Sequence, residues 1–181
     1  MGLQTYHRGI KDAKIAVWNG ENSWGAAYDI KGIRNASIAL VMDTDELGGD
    51  DVILDRFAVI ESATVTWEQA AVDLEALDIL TGGTLVSNAS YEDLVIGKSG
   101  ENPVYVGLAL EIKSSGAHTL HAFLPKVKFS GNLQFQAQYK QYLLPGAEMQ
   151  AVYEGETNGI GRLRKFVSAT TLTIPLATAV D

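Results

Sequence analysis

Residues 32–83 read GIRNASIALVMDTDELGGDDVILDRFAVIESATVTWEQAAVDLEALDILTGG, and the reading of this stretch decides the fold. Its first part, 37–42 (Ser-Ile-Ala-Leu-Val-Met), is an apolar run. From 58 to 68 the chain alternates: Val59, Ala63, Val65 and Trp67 point one way, and Ser62, Thr64, Thr66 and Glu68 the other. A period of two marks a half-buried strand. Between the two runs, residues 43–55 carry Asp43, Asp45, Glu46, Asp50, Asp51 and Asp55 around Gly48-Gly49. The expectation is a hairpin with a long acidic loop over about 43–55, well beyond the two to five residues usual for hairpin loops. A loop that long is either solvated and self-repelling or built to touch a partner. The stretch then closes on a short helix over about 73–81. Asp73 stands where a cap belongs, Leu74, Leu77 and Leu80 fall at helical spacing, and Gly82-Gly83 stops the run.

Outward from this stretch, strand patterns recur. Residues 13–19 form a first strand, Asn19-Gly20 a turn, and 24–30 a weaker strand. Residues 84–102 read as connection, with an apolar piece at 94–96. In 104–113, Val104, Val106, Leu108, Leu110 and Ile112 share one face. Residues 119–129 return, and Pro125 confines that strand to an edge or a bulge. Residues 133–143 set Leu133, Phe135, Ala137 and Tyr139 against Gln134, Gln136, Gln138 and Lys140. Residues 147–154 place Met149, Ala151 and Tyr153 on one face, 154–161 is a Gly-rich acidic link, and 163–174 is a last strand or extended arm. Strand spacing near ten residues predicts a mainly β fold: a sandwich or small barrel of two antiparallel sheets with one flanking helix. One domain is expected over 1–181, with an N-terminal arm at 1–12 and a C-terminal arm from about 155.

Composition narrows the function classes. Hydrophobic residues make up 46% and charged residues 20%, which is a globular balance. A net charge of −8 from 14 basic and 22 acidic residues argues against a phosphate-binding surface over the whole protein. The absence of cysteine excludes a disulfide framework and thiolate metal sites, and fits a reducing cytoplasm. Residues 1–12 are polar, so no secretory signal is expected. Uncharged apolar runs fall far short of the ~20 residues that span a bilayer, so no membrane partner is expected.

Catalytic patterns are missing. His118 and His121 sit at odd spacing in a strand, so their side chains leave opposite faces and cannot clamp one metal alone. No Gly-x-Ser-x-Gly, His-Glu-x-x-His or phosphate-cradling loop occurs. An EF-hand frame starting at Asp43 fails where Leu47 and Leu54 replace oxygen ligands, although a looser Ca²⁺ site in the loop stays open. We expect no enzyme, with no catalytic, cofactor-binding or metal-binding residues. Trp18, Trp24 and Trp67 would give a different class, a carbohydrate-binding sandwich, its stacking platforms, but Trp67 alternates with the buried set.

The order is strand, long acidic stretch, strand ending in Thr64-Val-Thr-Trp-Glu68, then the helix ending in Leu80-Thr-Gly-Gly83. The strand 104–113, the Phe123-Leu-Pro-Lys-Val-Lys-Phe129 segment and Gln134-Phe-Gln-Ala-Gln-Tyr-Lys140 follow. Over roughly residues 13–154 this resembles the major tail tube proteins of long, non-contractile-tailed bacteriophages. The resemblance implies a β-sandwich flanked by a helix, six copies closing into a ring with a shared inner barrel, and rings stacked into a tube that conducts genomic DNA during ejection. It implies as partners the chain itself and other tail proteins (tape measure, tail tip, terminator). DNA would pass through the lumen without specific binding, and the protein, made in the bacterial host cytoplasm, would reside in the virion tail. Asp43, Asp45, Glu46, Asp50, Asp51 and Asp55 would form the inter-ring loop. Ser62, Thr64, Thr66, Glu68, Gln134, Gln136 and Gln138 are the candidate lumen face. Tube proteins of contractile tails and type VI secretion systems share the same expected fold and remain the alternative.

Overall fold

Strong period-two patterning puts two central strands side by side, and the rest of the sheet grows from them. The computed structural model describes residues 7–49, 52–98, 102–114, 118–131, 133–136, 144–166 and 168–175. In chain order these form β1 (His7–Gly20), β2 (Ser23–Trp24), β3 (Tyr28–Asp29), β4 (Ile33–Gly49), β5 (Val52–Gln69), α1 (Leu74–Thr81), β6 (Thr84–Ser87), β7 (Glu92–Val95), β8 (Tyr105–Ser114), β9 (Thr119–Phe129), β10 (Gln134–Gln136), β11 (Leu144–Ala151) and β12 (Arg162–Phe166). The fold is mainly β, with two antiparallel sheets and one helix. The large sheet has ten strands in the order β2-β1-β8-β9-β11-β5-β4, with β3 on β1, β10 on β11 and β12 on β9. Among the described residues it does not close into a barrel. β6 and β7 form the small sheet, a hairpin inside the stretch expected to be connection.

The core follows from the alternation. Ile15 from β1, Val65 and Trp67 from β5, Val106 and Leu108 from β8, Leu124 and Val127 from β9, and Met149 from β11 share one buried cluster. Each such side chain contributes about 1.5–3 kcal/mol relative to exposure. The helix adds Ala76, Leu77 and Leu80 to the same cluster. Its start is fixed as expected: the Asp73 carboxylate accepts from the Ala76 N–H at 3.3 Å and from the Tyr28 hydroxyl at 2.9 Å. Burial, and then that bond to Asp73, push the Tyr28 phenol well above its ordinary range. At the other end Gly82 takes φ +65° and its N–H bonds the Asp78 carbonyl; a Cβ there would lie 2.5 Å from the Asn102 carbonyl oxygen.

Pro125 sits in a central strand, as a bulge. Val106 pairs with Val127 and Leu108 with Leu124, so Pro125 and Lys126 together face Gly107. The bulge frees the Pro125 carbonyl to accept from the Trp24 indole N–H at 2.8 Å. Trp24 then lies across the back of the sheet against Phe123, where Leu172 and Ile174 of the C-terminal segment join it.

Two boundaries differ from the sequence expectation. Of the acidic stretch 43–55, expected as a loop, 43–49 and 52–55 are paired strand: β4 and β5 pair from Asn35–Glu68 out to Gly49–Val52, with bulges at Glu61 and Leu54. A two-stranded ribbon in solvent needs no buried face, so acidic residues do not break it, and the cross-strand Glu46–Arg56 ion pair supports it. Asp50 and Asp51 lie outside the described residues. At the N-terminus, His7 already pairs with Ser114, inside the expected arm, with bulges between His7 and Asp12.

Gly107 carries the first test of this packing. A Cβ at this position would meet the Trp24 ring at 2.6 Å. We expect Gly107→Val to lose about 1–3 kcal/mol in urea denaturation and to red-shift tryptophan emission as Trp24 is lifted from the sheet.

Candidate functional site

The β4–β5 ladder is longer than the sheet that supports it. β11 pairs with β5 only from Ala63 to Glu68, ending at Ala151. Beyond that point β4 and β5 continue as a two-stranded arm. A bulge at Glu61, between the Val41–Ser62 and Met42–Ile60 pairs, marks the exit. Strand alternation sorts the arm into two faces. Met42, Thr44, Glu46, Ile60, Ala58 and Arg56 continue the core face. Asp43, Asp45, Leu47, Val59 and Phe57 form the reverse face; Val59 was expected beside Ala63, Val65 and Trp67, and the extra residue at the Glu61 bulge turns it to the other side. Large apolar groups are exposed on both: Met42 is 58% accessible, Leu47 63% and Phe57 68%.

At the root of the arm the core face emerges into solvent. Ala36, opposite Trp67, packs against the core. Ile38 is 37% exposed and Leu40 55%. These two, with Ile60, form one wall of an apolar groove of about 560 Å³. The other wall is Leu124, Ile160 and Leu163, with Arg162 at its rim. That wall is held by a polar clasp which the sequence reading treated as a link. Glu154 accepts from the Asn22 N–H at 2.6 Å and from the Asn158 amide at 2.7 Å. Asn158 also donates to Asn22 Oδ1 at 2.7 Å and accepts from Arg162 at 3.1 Å. The partners of Glu154 are 132 and 4 residues away, which is why spacing gave no hint of them.

The candidate lumen residues of β5 do share a face. Register places Thr66 beside Ser37 and Glu148, and Thr64 beside Ala39 and Gln150. Thr66 and Glu68 are exposed, Thr64 is half-buried, and Ser62 is 4% exposed and accepts from Gln150 Nε2 at 3.3 Å. Glu148 and Gln150 therefore belong to this polar face and were missed. The alternation of 147–154 implied their direction, but nothing in the sequence paired β11 with β5. The face passes through the Gln150–Lys128 pair to Tyr105, where Lys126 and Lys128 lie over aromatic rings. Gln134 and Gln136 are in β10, paired to β11 away from β5, and their side chains, like all of Gln138, lie outside what is described.

The acids expected to act together are divided. Asp43 and Asp45 lie on the reverse face of the arm, Glu46 on the other with Arg56, and Asp55 pairs with Leu47 at the far end. They line a strand and do not encircle a loop. The tryptophans are also divided. Trp67 is in the core, Trp24 is pinned under the C-terminal segment, and Trp18 is half-buried with Lys126 4.3 Å from its ring centroid.

A second ionisable group crosses the back of the sheet. Asp12, Glu111, His121 and Arg164 are register partners on four successive strands. Lys11 bonds Glu111 at 2.6 Å. Burial first, and then the hydrogen bond and charge of Asp29, raise the Asp12 carboxyl above its usual range. His121 is fully buried, and neither ring nitrogen makes a well-formed hydrogen bond, although the Thr170 backbone lies beside it. Burial lowers its affinity for protons, against the opposing pull of Glu111.

No family model and no curated protein matches this sequence. No helix among the described residues is long and apolar enough to cross a membrane.

Two measurements check this description. Leu47→Ser with Phe57→Ser should change the unfolding free energy of dilute protein by no more than about 0.5 kcal/mol, because neither side chain is in the core. By contrast, Leu108→Ala should cost about 2–5 kcal/mol. For His121, the unfolded ring takes up a proton below about pH 6.5 while the folded one resists. At this site the unfolded state thus binds more protons, and the contribution of His121 to stability falls as pH falls from about 7 to 5. His121→Phe should flatten that dependence; equal slopes in the two proteins would contradict the buried, neutral ring.

Proposed function

We propose that this chain is a structural subunit that assembles with copies of itself, and specifically a tail tube subunit of a long-tailed bacteriophage. On this reading six copies close into a ring, rings stack into a conduit for genomic DNA, and the protein resides in the virion tail with tape measure, tip and terminator proteins as neighbours. It carries no catalysis. The observation that supports it best is the paired arm, which leaves its sheet with Met42, Leu47, Phe57 and Val59 all exposed. An isolated two-stranded ribbon is marginal in water, and an exposed apolar edge invites pairing with another chain.

Magnitudes favour a closed assembly over a pair. Covering these four side chains returns about 1–2 kcal/mol each at their present exposure. Association costs about 4–15 kcal/mol in lost freedom. One arm contact therefore comes close to break-even. Closing a ring adds a further contact without a further association step, so rings are favoured where dimers are not. The polar face is acidic along β5 and β11, at Glu68 and Glu148, and basic only at its far side, where Lys126 and Lys128 lie over the Tyr105 ring; the acidic part suits a wall past which phosphates must slide, since duplex DNA presents a charge about every 1.7 Å and a basic wall would hold it. Tubes of contractile tails or secretion systems would draw on the same features.

Electron microscopy of the purified protein at high concentration tests the proposal. Rings or tubes about 100 Å wide are expected from six sandwiches with ~10 Å sheet packing around a duplex-sized bore. A protein that stays monomeric at millimolar concentration would overturn it.

A further inference from the structure

We infer that the apolar groove at the root of the arm is the receptor for the reverse face of another copy's arm, so that copies join head to tail. This rests on the self-assembly reading and adds the pair of surfaces that meet. The groove walls are Ile38, Leu40 and Ile60 on one side and Leu124, Ile160 and Leu163 on the other. Leu163 is the most exposed large apolar side chain described, at 74%. Two basic groups stand near it: Arg162 lines the groove while bonding Asn158, and Lys165, outside the lining, lies two residues beyond Leu163 on the same face of β12.

The reverse face of the arm is complementary in both respects. It offers Leu47, Phe57 and Val59 for the apolar walls and Asp43 and Asp45 for the two basic groups. It carries no lysine or arginine among its described side chains; Arg56, the base nearest in sequence, is on the other face with Glu46. Charge complementarity of this kind fixes register and discriminates against wrong partners.

The geometry also decides which copy supplies the arm. Ile38, Leu40 and Ile60 look into the groove, whereas Leu47, Phe57 and Val59 are on the opposite side of the same ribbon. A ribbon cannot turn its reverse face into a groove that its own front face lines. The occupant must come from a second molecule, whose own groove is left for a third. Such a heterologous contact either closes into a ring or propagates as a filament.

The chain contains no cysteine, so paired thiols give a clean test. Phe57→Cys and Leu163→Cys are made in separate preparations, and wild-type self-association is followed by sedimentation and microscopy. Treating an equimolar mixture of the two variants with a short thiol–thiol cross-linker should give roughly tenfold or more covalent dimer than either variant alone. Asp45→Lys in the Phe57→Cys chain should reduce that yield, and Lys165→Glu in the Leu163→Cys chain should restore it. Association of the wild type without preferential 57–163 cross-linking would overturn the groove assignment while leaving self-assembly standing. A wild type that remains monomeric at millimolar concentration would remove both.

Discussion

The structure depends on a mismatch of lengths between β5 and the strand beside it. β11 supports β5 from Ala63 to Glu68 and then ends, while the β4–β5 ladder runs on to Gly49 and Val52. Everything distinctive about the molecule follows from this. Where β11 is present, alternate side chains of β5 are sealed into a core with Met149 and Trp67. Where it ends, the core face runs out into solvent: Ile60 lies just beyond the supported span and lines the groove together with Ile38 and Leu40 of β4, which pair with Val65 and Ala63 at its margin.

The sheet also divides at β9. Its C-terminal part pairs with β11 and its N-terminal part with β12. The excursion between those two strands is not slack chain. Glu154, Asn158 and Asn22 lock it through three bonds of 2.6–2.7 Å, and Arg162 ties the start of β12 to it. Charge-assisted bonds among half-buried groups are the stronger kind, so the outer wall of the groove is rigid although it looks like a loop in sequence. A fixed wall facing an exposed apolar ribbon is an arrangement that favours a preformed contact, in which little ordering entropy remains to be lost on association.

The back of the sheet is organised differently. There the bulge at Pro125, the bare backbone of Gly107 and the indole of Trp24 packed directly on it work as one unit, with the C-terminal segment laid over them. The ionisable row from Asp12 to Arg164 runs under the same segment, and Lys11 neutralises Glu111 within it. A buried carboxylate needs a paired cation. That pairing is enough to account for Glu111 as a structural group.

The local patterns were legible in the letters. Period-two alternation placed β5 and β8, the return after a turn placed β9, the Asp73 cap and Gly82 stop bounded α1, and Pro125 confined β9 to an edge or a bulge, of which the structure has the bulge. These are short-range effects, set by side-chain direction and backbone sterics within a few residues. The same reasoning took 43–55 for a loop, because it weighed acidic charge against burial and a solvent-exposed ribbon buries nothing. It left out Glu148, Gln150, the groove and the Glu154 clasp, since each joins residues far apart in the chain. Which strand lies beside which is set by long-range pairing, whose cost and reward depend on the whole sheet at once. The sequence by itself therefore determined the alternation within each strand; only the tertiary structure decided where the Glu61 bulge reverses it and where β11 stops, and with them which hydrophobic surface is left uncovered.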